Sequence, residues 1–492
     1  MAFSDLREWL SFLEGKGQIK HIKAEVDWDE ELGAIAREVA ARKGPAMLFE
    51  NIKDYKNTPC HRLVIGSLGA KRRVRWALGL PMEMPDQEVT RWVCQKMRQP
   101  VAPVALSSGP VKENVLKGEK VNLWQLPVPK WNPGDGGRYI MTSTSVVTRD
   151  PENGQLNVGT YRGMIVDKNK IAVFLVPNQD WGKHFTKYQA LKKPMPVAVA
   201  LGWDPILYMC SATPLPSTFD EYHFCGGLRG KPVELVCCET NDLLVPAFAE
   251  IVLEGFIDPD PATFHVEGPY TEYTGYYAGG KLRRPVFQVE AITFRHDPIF
   301  WGQLTGATPG RYPSDGTWLK YFQTAVSWNY LEDAGIPGIL DFNFDGWPEI
   351  VKVRIKKGYR NHAQQLAAAL WGSKISNHMA KIVIVVDEDI DIRNREALDW
   401  AMAYRVNPAM GDISFYDLPG SPLDPSIPFE LRNELEQGQG TWRRTLIDAT
   451  ISWDFPPRPE YSGSRYPPKG TDVSPAMKER VQARWKEYGL GD

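Results

Sequence analysis

The segment YIMTSTSVVTRDPENGQLNVGTYRGMIVDKNKIAVFLV, Tyr139 to Val176, constrains the fold more than any other part of the chain. It is dense in β-branched and aromatic residues and is broken by the turn signals DPENG and DKNK, the pattern of consecutive antiparallel hairpins. The apolar runs PMPVAVALG, KPVELVCC and RRPVFQVEAITFR continue it to about residue 300, with a helix predicted around PAFAEIVLEG. So many strands leave exposed edges unless the sheet curls on itself, so the middle of the chain is predicted to be a barrel or a strongly curved sheet.

The flanks have a different rhythm. DEELGAIAREVAARKG places Leu32, Ile35, Ala36 and Val39 on one side of a helix that stops near Gly44, before the strand-like run PAMLFENI. MAFSDLREWLSFLEGKGQIK puts Leu6, Trp9, Leu10 and Leu13 at helical spacing with Ser4 or Asp5 as cap, and reads as a folded helix rather than a secretory signal. Later, WLKYFQTAVSWNYLEDAG and NHAQQLAAALWGS are helical, whereas EIVKVRIK and AKIVIVVDEDIDI are strand-like. A chain of 492 residues exceeds what one core fills. The predicted organisation is an α/β domain over 1–115, a central β domain over 116–320, a second α/β domain over 321–455, and a tail with a helix over 456–492 that packs on another domain or subunit. The Pro- and Gly-rich LWQLPVPKWNPGDGG is expected to be a linker or pocket wall.

Several function classes are disfavoured. A net charge of -2 gives no general attraction to nucleic acid, and KRRVRW reads as a solvated helix face. Six cysteines without a CxxC pair give neither a disulfide framework nor a zinc knuckle, and a reducing cytoplasm fits them. No apolar run is long enough for a membrane span, and neither GxGxxG nor GxxxxGK[ST] occurs.

The chemistry-bearing residues each carry two readings. Arg162 suits a carboxylate or phosphate clamp, or an exposed arginine on a sheet. It lies five residues after Asn157, so joint use of the two requires a bend, which Gly159 permits. Asn157, His184 and Glu221 form a mixed oxygen and nitrogen set suited to Mn²⁺ or Mg²⁺, though at no compact metal spacing; His184 is equally a satisfied interior histidine and Glu221 an acid at a helix start. In HVEGPYTEYTGYYAGG, Glu267 beside Arg162 would stay ionised, while Glu272 among Tyr270, Tyr273 and Tyr276 would be pushed toward its protonated form. That divergence makes an acid and its partner; the alternative is a surface turn with two solvated acids. Lys381 either meets a phosphate or is a solvated strand start.

Taken in order, NVGTYRG, DEYHFCGGLRGKPVELV and EGPYTEYTGYY, supported by AKIVIVVDEDIDI and LPGSPLDPS, resemble the UbiD family of prenylated-FMN-dependent (de)carboxylases over essentially the whole chain. The resemblance implies a central split β-barrel related to flavin-reductase folds, flanked by amino- and carboxy-terminal α/β domains. It implies that Arg162, Glu267 and Glu272 are catalytic, with Glu272 as proton donor. Asn157, Thr160, Tyr161, Arg162, His184, Ser211, Thr213, Glu221 and Lys381 would bind the cofactor. Asn157, His184 and Glu221 would hold Mn²⁺ or Mg²⁺, and Cys210, Ser211 and Thr213 with Glu221 would hold K⁺. The implied reaction is reversible non-oxidative decarboxylation of an aromatic or heteroaromatic acid, a hydroxybenzoate-type acid among the candidates, through a covalent adduct with prenylated FMN. The implied partners are a small aromatic acid, CO₂, a flavin prenyltransferase as cofactor supplier and further copies of the chain in a homodimer or homohexamer. Pocket residues are expected near Ile140, in the 290s and in YRVNPAMGD. A carboxylase or carboxylase subunit, a flavin oxidoreductase and a non-catalytic assembly subunit remain the alternatives.

Overall fold

A computed structural model of the chain describes residues 3–217, 219–278, 280–306, 318–344, 347–432, 440–470 and 473–490. The strands read from Tyr139 onward are present as Tyr139–Met141, Thr144–Arg149, Leu156–Gly159, Gly163–Asp167 and Lys170–Val173. DPENG and DKNK each close an antiparallel hairpin. Met195–Leu201, Ile251–Ile257, Val286–Phe294 and Asn114–Lys117 complete a nine-stranded sheet.

Chain length alone shows that this sheet is curled. Tyr139–Met141 forms one edge, with Gly163–Asp167 next to it; Leu156–Gly159 forms the other, with Thr144–Arg149 next to it. Laid flat, Tyr139–Met141 and Thr144–Arg149 would lie about 29 Å apart at about 4.8 Å per strand. Thr142 and Ser143 alone join them, a reach of about 11 Å. Leu156–Gly159 and Gly163–Asp167 are equally distant in strand order and are joined by Thr160, Tyr161 and Arg162. Both links cross the seam of a split barrel, so NVGTYRG must deliver its polar residues to the opening.

Two expectations about this region are corrected. PAFAEIVLEG is not helical: Ile251–Ile257 is a central barrel strand, paired with Met195–Leu201 and Val286–Phe294. Glu250 and Glu254 imitate the polar face of a helix, yet both are buried. Glu250 accepts from Arg7 and from the Ile299 N–H, and Glu254 from the N–H groups of Glu239 and Thr240. KPVELVCC does form the strand Glu234–Cys237, but in a separate sheet with Val104–Leu106 and Leu244–Pro246.

In the amino-terminal region, helix Leu6–Gly15 buries Leu6, Trp9, Leu10 and Leu13, and Asp5 caps it by accepting from the Glu8 N–H. Ile19–Ile22, Ala46–Phe49 and Arg62–Ile65 form a sheet whose fourth strand, Ile299–Trp301, comes from far beyond residue 115. KRRVRW lies on helix Lys71–Ala77 and is not simply solvated. Arg73 and Arg75 are buried, Arg73 donating to the Gly44 carbonyl and Arg75 to Asp86 and to the carbonyls of Pro81 and Met82.

The carboxy-terminal region is a five-stranded sheet in the order Ile339–Asn343, Ile350–Ile355, Ile382–Asp387, Thr441–Ala449, Ile413–Pro419, parallel at its centre. Helix Leu319–Asp333 leads into it and packs on Asp86–Met97, with the Arg91 guanidinium 3.5 Å above the Trp328 ring. Beyond residue 455 little is buried: helix Pro475–Ala483 contributes no buried side chain, and Trp485, Tyr488 and Leu490 are exposed. Among the described residues no helix is long and apolar enough to cross a membrane.

Candidate active site

A cavity of about 390 Å³ opens at the barrel seam. Thr160, Tyr161 and Arg162 wall it from the link just described, Ser211 to Leu215 from the end of helix Pro205–Ser211, and Lys374, Ile375 and Ser421 to Leu423 from the carboxy-terminal region.

Arg162, Glu267 and Glu272 meet here. Arg162 Nε lies 3.0 Å from Glu267 Oε1, Nη2 donates to Glu267 Oε2 at 3.1 Å, and Nη1 donates to Glu272 Oε1 at 2.5 Å. All three side chains are buried. Glu267 ends the strand His265–Glu267; Gly268, at φ +94°, then turns the chain into Tyr270–Thr271, which sets Glu272 on the cavity wall. Glu267 stands behind Arg162, off the cavity lining, and also accepts from the Tyr139 hydroxyl at 2.8 Å. Burial pushes the Glu272 carboxyl above the ordinary glutamate value against the pull of Arg162. Burial also opposes the charge on Arg162, but the two carboxylates outweigh it and hold the guanidinium above its usual range. Of the tyrosines expected around Glu272, Tyr270 and Tyr273 line the cavity, whereas Tyr276 is 63% exposed.

LWQLPVPKWNPGDGG, expected to be a linker or pocket wall, does not line the cavity; its last residues anchor this turn. Buried Asp135 accepts from the Thr271 N–H and hydroxyl, both at 2.8 Å, and from Asn132 N at 3.0 Å. Four buried donors on one carboxylate, counting Asn132 Nδ2, hold the residue next to Glu272 in place.

Asn157, Tyr161, Ser211, Thr213 and Glu221 line the same cavity. Tyr161 stacks on Trp181 at 4.1 Å and exchanges long contacts of 3.3 and 3.4 Å with the Asn157 amide. Ser211 and Thr213 donate their hydroxyls to the carbonyls of Leu207 and Met209. Cys210 is fully buried and off the lining. His184 is buried too, but its Nδ1 meets Thr148 Oγ1 at 3.0 Å and it does not line the cavity. Lys381 is likewise off the lining: its ammonium bonds Asp424 at 2.9 Å and Ser426 at 2.6 Å. The lysine that does reach the wall is Lys374, unnoticed in the sequence, as are Asp180, Tyr208 and Gln303. The stretch near Ile140 contributes Met141 and Thr142, whereas the 290s and Tyr404 to Asp412 contribute nothing.

Among the described residues no three His, Cys, Asp or Glu side chains cluster as a metal site. The donors nevertheless fit a phosphate carrying a cation. Burial pushes Glu221 up to about 8; its carboxylate accepts from the Val158 N–H and has no ion-pair partner among the described residues. Both polar atoms of the Asn178 amide, on the same wall, are buried without a partner. A cation suits Glu221, and phosphate oxygens suit Asn178 and Lys374.

The site is thus a buried arginine and two glutamates at the seam of a split barrel set between two α/β regions. Three consecutive segments match the family described as 3-octaprenyl-4-hydroxybenzoate carboxy-lyase: its N-terminal domain over residues 10–93, its Rift-related domain over 103–308 and its C-terminal domain over 317–449. The uncharacterized protein sll0936 of Synechocystis is 32% identical over 99% of this chain and 96% of its own. The vanillic acid decarboxylase of Sedimentibacter hydroxybenzoicus in closed form matches with a TM-score of 0.86 at 31% identity over 100% of both chains; its open form gives 0.78. An evolved dimeric form of the UbiD-class enzyme HmfF from Pelotomaculum thermopropionicum, in complex with prFMN, gives 0.76 at 27% identity over 97% of this chain and 100% of that one. The chain belongs to the UbiD family of prenylated-FMN-dependent carboxy-lyases, whose reaction is non-oxidative decarboxylation.

Proposed function

We propose that this enzyme reversibly decarboxylates an aromatic or heteroaromatic acid, with hydroxybenzoate-type acids the first class to test, and that Glu272 is its proton donor. One observation carries the reading: Arg162 is held between two buried carboxylates, and only Glu272 faces the cavity.

Prenylated FMN, when bound, supplies the electron sink for the pair left on the ring carbon as CO₂ departs. The chain's own residues manage charge and proton. Arg162 receives the substrate carboxylate at Nη1, the position that Glu272 otherwise takes. Displaced from its cation and faced with a second anion, Glu272 takes up a proton, which it then delivers to the carbon. Glu267 keeps Nε and Nη2 and so holds the fork in orientation. Asn157 and Glu221 would hold Mn²⁺ or Mg²⁺, the main chain around Cys210, Ser211 and Thr213 with Glu221 would hold K⁺, and Thr160 and Tyr161 would line the flavin. Lys374, rather than Lys381, would reach the phosphate. The exposed apolar residues of the tail support packing against a second copy of the chain.

Glu267→Gln tests the electrostatics. The Glu267 charge raises Glu272, so its removal should lower the donor's pKa and move the alkaline limb of kcat, where the proton is lost, to lower pH. A limb that stays put or moves upward counts against Glu272 as donor. The function as a whole is tested by intact mass of the cofactor released from protein co-expressed with a flavin prenyltransferase, followed by CO₂ release from a panel of aromatic acids. Prenylated FMN bound only after co-expression, with release from at least one acid, is the expected result; folded protein that takes up no flavin overturns the reading.

A further inference from the structure

We propose that the divalent cation of this enzyme is held by oxygen donors alone, Asn157, Asp180 and Glu221, and that Lys374 occupies the cation's place until the metal arrives. The inference rests on the reading above that a cation-bound phosphate enters this cavity.

Asp180 opens helix Asp180–Leu191 and lines the cavity together with Asn157 and Glu221. Its charge is among the causes that raise Glu221. Two acids and an amide thus line one cavity, a donor set for a hard divalent ion. His184 lies one turn further along the same helix face, where its ring meets Thr148 Oγ1. That hydroxyl in turn accepts from Asn157 Nδ2 at 3.5 Å. The imidazole therefore stands behind Asn157, and its contribution is to the set of the Asn157 amide rather than to the metal.

Two ammonium groups now meet the Asp180 carboxylate: Lys183, from the same helix, at 3.4 Å from Oδ1, and Lys374, more closely, from across the cavity at Oδ2. Lys374 also donates to the Leu215 carbonyl at 2.9 Å. Lys374 begins the short 3₁₀ helix Lys374–His378 of the carboxy-terminal region, so its bond to Asp180 ties that region to the barrel across the cavity. A divalent ion ligated by Asp180 displaces the Lys374 ammonium, which is then free to turn to the phosphate. Metal loading and release of this tie are thereby one event.

The test is a Mn²⁺ titration of the flavin-free, chelator-treated full-length protein, followed by the electron paramagnetic resonance signal of free Mn²⁺. Saturable binding is expected, weakened by about tenfold or more in Asp180→Asn through loss of ligand charge. His184→Asn, which keeps a polar partner for Thr148, should lose less than Asp180→Asn. Lys374→Met, which removes the nearer of the two competing charges, should bind Mn²⁺ about tenfold more tightly. No saturable binding by the unchanged protein, an unaltered Asp180→Asn, or a loss in His184→Asn as large as in Asp180→Asn overturns the donor set. Should Asp180→Asn fail to fold, Lys374→Met decides, and unchanged or weaker binding in it overturns the proposal. Because the readout is metal and not turnover, Mn²⁺ bound through Asp180 by a protein that releases no CO₂ would leave this site standing and sink only the function.

Discussion

Turnover of the Glu272→Gln enzyme is expected to fall by about 10²–10⁴-fold, the usual worth of a positioned general acid, while prenylated FMN is retained. The substitution is close to isosteric, and the amide oxygen can still accept from Arg162 Nη1, so the buried cluster stays filled and hydrogen-bonded. What is lost is the transferable proton. Single-turnover experiments separate the steps: CO₂ release of up to one equivalent without matching product places the defect after decarboxylation, at proton delivery. The alkaline limb of kcat assigned to Glu272 should also vanish from the residual rate. Normal turnover in this variant would remove Glu272 from the mechanism and leave Arg162 as a carboxylate clamp only.

How much of this was legible depended on whether the relevant signal is local. The hairpins at DPENG and DKNK are written in consecutive residues, and so are the five-residue spacings of Asn157 with Arg162 and of Glu267 with Glu272. Which glutamate faces the cavity is not local, because it depends on Tyr139, Arg162 and the Asp135 anchor, all more than a hundred residues away in the chain. PAFAEIVLEG misled because Glu250 and Glu254 have the spacing of a solvated helix face, whereas remote partners satisfy both inside the fold. Arg73 and Arg75 misled for a related reason: main-chain carbonyls accept from them, and composition carries no trace of such partners. Remote partners separate the two lysines as well. Lys381 has the more suggestive setting, at the start of a buried strand, yet Asp424 and Ser426 claim it. Lys374 reaches the cavity because it meets Asp180, 194 residues earlier in the chain.

Arg162→Met is expected to abolish activity and to cost the fold about 3–5 kcal/mol at pH 7, the range for removing one partner of a buried ion pair. Methionine fills much of the space beside Phe174 and Tyr270, whose rings lie 4.1 and 5.3 Å from the guanidinium carbon, so lost packing is the smaller part of the deficit. The larger part is the uncompensated charge of Glu267 and Glu272. Burial already raises the folded-state pKa of Glu272, and Arg162, more than the Tyr273 N–H, holds it down; without the guanidinium it rises further. A carboxyl whose folded pKa lies above its unfolded value destabilises progressively as pH climbs past the unfolded value, because the unfolded chain gives up its proton first. The deficit should therefore be smallest near pH 4 and larger at pH 7, as urea denaturation at the two pH values would measure. Equal deficits at both would assign the cost to packing. Adding Glu272→Gln to Arg162→Met removes one of the stranded charges, so the double variant should recover part of the stability that the single one loses at pH 7 and little at pH 4.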